Sequence, residues 1–181
     1  MKGLIIVAVV VVVLLVWFIG VSNSIRVLEV KIKEASSGID VALEKRFAVL
    51  TKQMEVVKNV VSEEQKLTFD SIKLRQGMTF DEQNDAIAKV EKLTTGFNAL
   101  MEAYPEMKSS ENFALLQKSV NDTEEHLQAA RRLFNANVSA FNQRIVTFPN
   151  SIVASMTGKV QKTFFEADAA KKEDVDLSMN I

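Results

Sequence analysis

The chain has 181 residues, 48% apolar and 25% charged, with 22 Lys+Arg against 23 Asp+Glu, so it has room for one domain and no global pull toward nucleic acid. The absence of Cys excludes disulfides, thiolate nucleophiles, Cys-ligated metal sites and lipid attachment through a thiol, and the single His excludes a His-pair metal site on one chain. Six Gly and two Pro are too few for the closely spaced turns of an all-β chain.

Leu4–Val21 is an unbroken apolar or glycine run, with Trp17 and Phe18 near one end. As a helix it is roughly 27 Å long, about the thickness of a bilayer's hydrocarbon core. A signal-peptide core would be shorter, although Gly20-x-Ser22 has the small-x-small form of a cleavage site. A buried core helix would need a polar face, and the run has none. Residues 1–22 therefore read as an uncleaved transmembrane anchor that meets the lipid bilayer through residues 4–21. Lys2 flanks one side, and Arg26, Lys31 and Lys33 flank the other. That excess leans toward a cytoplasmic main domain.

Beyond the anchor, Ile39, Leu43, Phe47, Leu50, Met54, Val57 and Val61 advance in steps of 3 and 4, a single helical stripe expected to run from Ile39 to Arg75. Ser36-Ser37-Gly38 is the one soft spot before it, permitting a kink without requiring a break. Thr79-x-x-Glu82 has capping-box spacing for a second helix that Pro105 ends, with Tyr104 pushed toward extended geometry. A third stripe from Phe113 through Leu127, Phe134 and Phe141 to Phe148 predicts a long helix from Ser110 to Phe148, stopped by Pro149. A shorter fourth helix is expected from Ser151 to Phe165, and the acidic tail 167–181 reads as mobile. The fold class is thus all-α: a transmembrane helix, then over 23–166 an antiparallel bundle of three long helices plus a short fourth. The helix lengths place Pro105–Ser110 as a strut running toward the membrane, with the fourth helix folding back from the distal end.

Glu102-Ala103-Tyr104-Pro105-Glu106-Met107-Lys108, leading into Glu111-Asn112-Phe113, resembles the signature of the LemA family of bacterial membrane proteins. Thr123-Glu124 with Ala130-Arg131-Arg132-Leu133-Phe134-Asn135, Phe141-Asn142 with Arg144-Ile145, and Thr147-Phe148-Pro149-Asn150 with Gly158 match in order, and Phe164-Phe165-Glu166-Ala167 looks like the closing motif. The first helix departs from the pattern, with Ser36 where the family often has Trp. The resemblance implies a membrane-anchored bundle whose short amino terminus lies outside the bacterial inner membrane. It implies no established biochemical activity.

The residues that invite a role are Tyr104, Pro105, Glu111, Asn112, Arg131, Asn135, Asn142, Arg144 and Pro149. Tyr104-Pro105 with Glu111-Asn112 can be a recognition loop, or simply a helix stop and restart. Asn135 and Asn142 are seven apart on one face and can fix register or form a polar site. Arg131, Arg132 and Arg144 can hold an anion, or Arg131 pairs with an acid on the first helix while Arg132 faces water. His126 beside Glu124 and Glu125 reads as a surface residue with no nucleophile motif, and no Gly-rich phosphate loop occurs. No catalytic residue, cofactor or metal is expected. A structural or interaction scaffold is the first reading, with protein partners and self-association both open. The alternative is a sensor-like bundle taking a small ligand or anion near Asn135, Asn142 and Arg144.

Overall fold

The computed structural model describes residues 1–57, 63–104 and 111–165. The strut expected over 105–110 and the acidic tail expected over 167–181 lie outside these residues. Five helices are described: α1 Lys2–Val56, α2 Glu63–Asp70, α3 Phe80–Ala103, α4 Glu111–Val146 and α5 Asn150–Met156. The described residues contain no strand.

Helix α1 is continuous for 55 residues, about 80 Å, from the apolar run into the bundle. Its sequence contains no proline, and Gly38 is accommodated without a break. The first helix was expected to continue to Arg75, but α1 ends at Val56, and the later part of that stripe forms the separate helix α2. Phe69 of α2 stacks on Phe47 of α1 with ring centroids 4.7 Å apart. The chain therefore makes one more pass than the stripes suggest.

That extra pass reverses everything downstream. Gln83 and Thr94 of α3 bond Ser36 and Arg46 of α1, so α3 runs parallel to α1. Helix α4 returns antiparallel, with Gln117 opposite Gln53, Glu124 opposite Arg46 and Asn137 opposite Lys31. The corner between α4 and α5 consequently lies beside the end of the apolar run, not at the distal end where the fourth helix was expected.

The segment between α2 and α3 is fixed locally. Asp40 of α1 accepts from the Gly77 N–H at 2.8 Å, and Gly77 adopts φ +72°. Thr79 and Glu82 form the expected capping box at the start of α3. The fourth helix is shorter than the stripe suggested. Gly158 at φ +65° turns the chain, and the Lys159 N–H donates to the Ala154 carbonyl at 2.9 Å, closing a Schellman-type end. Residues 159–165 then run back along α4 as a non-helical segment.

The core divides in two. A proximal cluster joins Val21, Ile25, Ile39 and Leu43 to Phe134, Phe141, Val153 and Phe165. A distal cluster joins Leu50 and Val57 to Val90, Phe97, Phe113 and Val120. By contrast, Leu4 to Val16 are exposed along almost their whole length.

Candidate functional site

A polar seam separates the two clusters. Arg46 is buried on α1, where the stripe would accept an apolar residue, and it forms an ion pair with Glu124 of α4. It also donates to the Thr94 hydroxyl at 3.2 Å. Burial pushes the Arg46 guanidinium below the ordinary arginine value, against the opposing pull of Glu124 and Glu91, while nearby Arg131 adds to the lowering. Arg131 is itself buried. The cross-helix pair thus places its cation on α1 and its acid on α4. Glu124, one of the carboxylates beside His126, serves to balance that buried cation. His126 and Glu125 face solvent, as expected.

Below the seam, Asp40 accepts from the Gln83 amide at 2.6 Å, and Gln83 also reaches the Ser36 carbonyl at 3.0 Å. Ser36 is small enough to admit this completely buried glutamine. Above the seam, the buried Gln53 amide donates to Gln117 at 3.3 Å, and Gln117 donates to Asn98 at 3.4 Å. The Gln53 Oε1 has no hydrogen-bond partner among the described residues.

Asn135 and Asn142 act together, but on the chain itself. Asn135 donates to the Phe165 carbonyl and accepts from the Phe165 N–H, both at 2.8 Å. Asn142 does the same with Lys162, at 2.8 and 2.9 Å. Each side-chain amide mimics a neighbouring strand's peptide group. The spacing follows from geometry: seven helical residues rise about 10.5 Å, and three extended residues cover about 10 Å. The pair therefore clamps the return segment at matching points. This brings Phe165 against Phe80 and Phe134, with ring centroids 4.4 and 4.9 Å away. Asn137 instead donates to the Lys31 carbonyl at 3.2 Å.

The remaining candidates are dispersed. Tyr104 caps α3, donating its N–H to the Leu100 carbonyl at 3.1 Å, and its side chain is exposed. Glu111 is an exposed acid in the first turn of α4. Pro105 and the Asn112 side chain lie outside the described residues. Near this end, an open groove of about 590 Å³ lies between α3 and α4, lined by Asn98, Met101, Glu102, Phe113, Gln117 and Asn121 among others. At the opposite end, Pro149 opens α5. There Arg144 lines a second groove of about 640 Å³ with Ser24, Leu28, Lys31, Gln143, Thr147 and Asn150. The buried Arg144 Nε has no hydrogen-bond partner among the described residues. Among the described residues these candidates line two open grooves, and the interior between them is hydrogen-bonded except at a few buried atoms.

The sequence pattern of the LemA family matches residues 35–179. A curated relative, Protein LemA of Metamycoplasma hominis, is 28% identical over 167 residues, covering 89% of this chain and 76% of that protein.

Proposed function

The chain belongs to the LemA family, and on that premise we propose that it is a membrane-anchored scaffold that docks protein partners and catalyses no reaction. The observation that carries this reading is α1, one helix long and apolar enough to cross a membrane that continues without a break into the bundle core. In the proposal, residues 4–21 span the bacterial inner membrane, the short amino terminus lies outside and the bundle is cytoplasmic. The distal groove then stands roughly 45–50 Å above the anchor's end, since Gln53 lies 32 residues beyond Val21. Its amide-rich, partly apolar lining suits a peptide or helix face better than a small charged metabolite.

The sensor reading loses two of its three residues to the return segment, because Asn135 and Asn142 are occupied by backbone. It keeps only Arg144, whose Nε has no partner among the described residues and whose neighbour Lys31 favours an anion at the base of the bundle.

Photo-crosslinkers at Asn98 and Gln117, in the full chain in native membranes, test the scaffold. The expected result is a stoichiometric protein adduct absent when the crosslinker sits at exposed Leu133. A survey that recovers no stoichiometric partner overturns the reading. Reporter fusions at residue 181, active on one side of the membrane only, test the orientation.

A further inference from the structure

The corner between α4 and α5 carries an apolar surface that the bundle does not use. Phe148 is 76% exposed, Met156 71% and Val160 75%, with Val146 and Ile152 about half exposed. Helix α5 is two-faced. Val153 and Ala154 are buried, while Ile152 and Met156, one turn apart, point outward. From Val146 to Gly158 no residue is charged, and between Arg132 and Glu166 there is no acidic residue. Arg144, Lys159 and Lys162 border this stretch, and only Lys159 is described in an ion pair, with Glu29 at 2.8 Å.

The level of this corner along α1 points to its occupant. Its inner face belongs to the same cluster as Val21 and Ile25, and Trp17 and Phe18 pack against that cluster. The apolar run ends at Val21, and the rise from Val21 to Ile25 is about 6 Å. Each headgroup zone of a bilayer is about 5–7 Å thick, so the corner coincides with it in depth. We propose that the α4–α5 corner is a second membrane contact: a foot whose Phe148, Ile152 and Met156 enter the interface of the same bilayer that α1 crosses, with Arg144 and Lys31 meeting anionic lipid phosphates.

This rests on the reading of α1 as an anchor. An apolar face, an uncharged core and a cationic border match the two terms that hold interfacial elements on anionic membranes. A second copy of the chain would bring like charges together at the same place.

The chain has no Cys, so single-cysteine variants label cleanly. Full-length Val10→Cys, Met156→Cys and Leu115→Cys proteins, carrying an environment-sensitive fluorophore, are reconstituted in phosphatidylcholine vesicles containing lipid-borne quencher. Val10 reports the anchor, and Leu115 is an exposed apolar residue of the distal bundle. The expected result is several-fold stronger quenching at positions 10 and 156 than at 115, with position 156 responding further when phosphatidylglycerol is included. Quenching at 10 but not at 156 overturns the foot and leaves the anchor standing. No quenching at either position removes both. A second variant, Phe148→Ser with Met156→Ser, should keep its helical circular dichroism yet lower quenching of a Val160→Cys label several-fold. Unchanged quenching there also overturns the foot.

Discussion

The proximal and distal halves of the bundle share α1 and α4 yet are built differently. In the proximal half, Phe134 and Phe165 pack edge to face with Phe80 tilted against both, and two asparagines hold the return segment over them. In the distal half, aliphatic side chains surround Phe97 and Phe113 with the Phe47–Phe69 stack at their side, the buried Gln53 Oε1 has no partner among the described residues, and a groove lies open. The difference teaches that side-chain clamping and ring packing are concentrated near the apolar run, while the open groove lies toward the far end.

Removing the centre of the proximal half should have the largest effect. Phe134→Ala should cost about 3–5 kcal/mol in chemical denaturation, through lost burial and the cavity left behind. Hydrogen exchange in α1 should accelerate most near Ile25–Leu43, and uniform acceleration through Val57 would break the division into halves.

Cutting the seam comes next. Glu124→Ala leaves Arg46 buried beside Arg131 without its ion-pair partner, with only the weaker pull of Glu91, and should cost about 3 kcal/mol. The pair Arg46→Met with Glu124→Leu should recover most of that loss and merge the two clusters. A double variant as unstable as the single one would show that the seam contributes more than charge balance.

Releasing the return segment is a smaller change. Asn142→Ala should cost about 1–2 kcal/mol, since the Lys162 peptide group can rehydrate once unclamped. Trypsin should then cut faster after Lys159 and Lys162, with no change in exchange rates around Phe97. The smallest effect is a pH dependence at the start of α3. The Thr79 N–H, helped by Arg75, holds the Glu82 carboxyl below the usual carboxylate range. Its contribution is present above the ordinary carboxylate value and lost as pH falls through the lower folded value. Thermal melts should show this fall, and Glu82→Gln should flatten it.

Much of this organisation was legible in the sequence because it is local. The apolar run, the Thr79–Glu82 cap and the stripes of α3 and α4 each need only neighbours within one or two turns. Two features were not legible for physical reasons. The end of α1 has no glycine or proline nearby, and apolar spacing resumes in α2, so the stripe conceals a reversal. The return segment reads as helix from Val160 and Phe164-Phe165, yet its hydrogen bonds come from side chains 20 and 30 residues earlier. Gly158 was the one local sign, since a positive φ stops a helix there. Among the candidate residues, the spacing of Asn135 and Asn142 was visible, but their target was not. The seam was missed because Arg46 looks like a surface cation within a charged stretch.

An unbroken α1 has a mechanical consequence. With no break between the apolar run and the bundle, the azimuth of every face of the domain is locked to the rotational phase of residues 4–21. One alanine inserted after Gly20 would swing the anchor about 100° relative to the α4–α5 corner and displace it by 1.5 Å. Two such insertions would turn it nearly to the opposite side, whereas seven would restore the phase to within about 20°. If residues 4–21 cross a bilayer as proposed, any torque or tilt imposed on them is transmitted, like the turning of a shaft, to the groove at the far end.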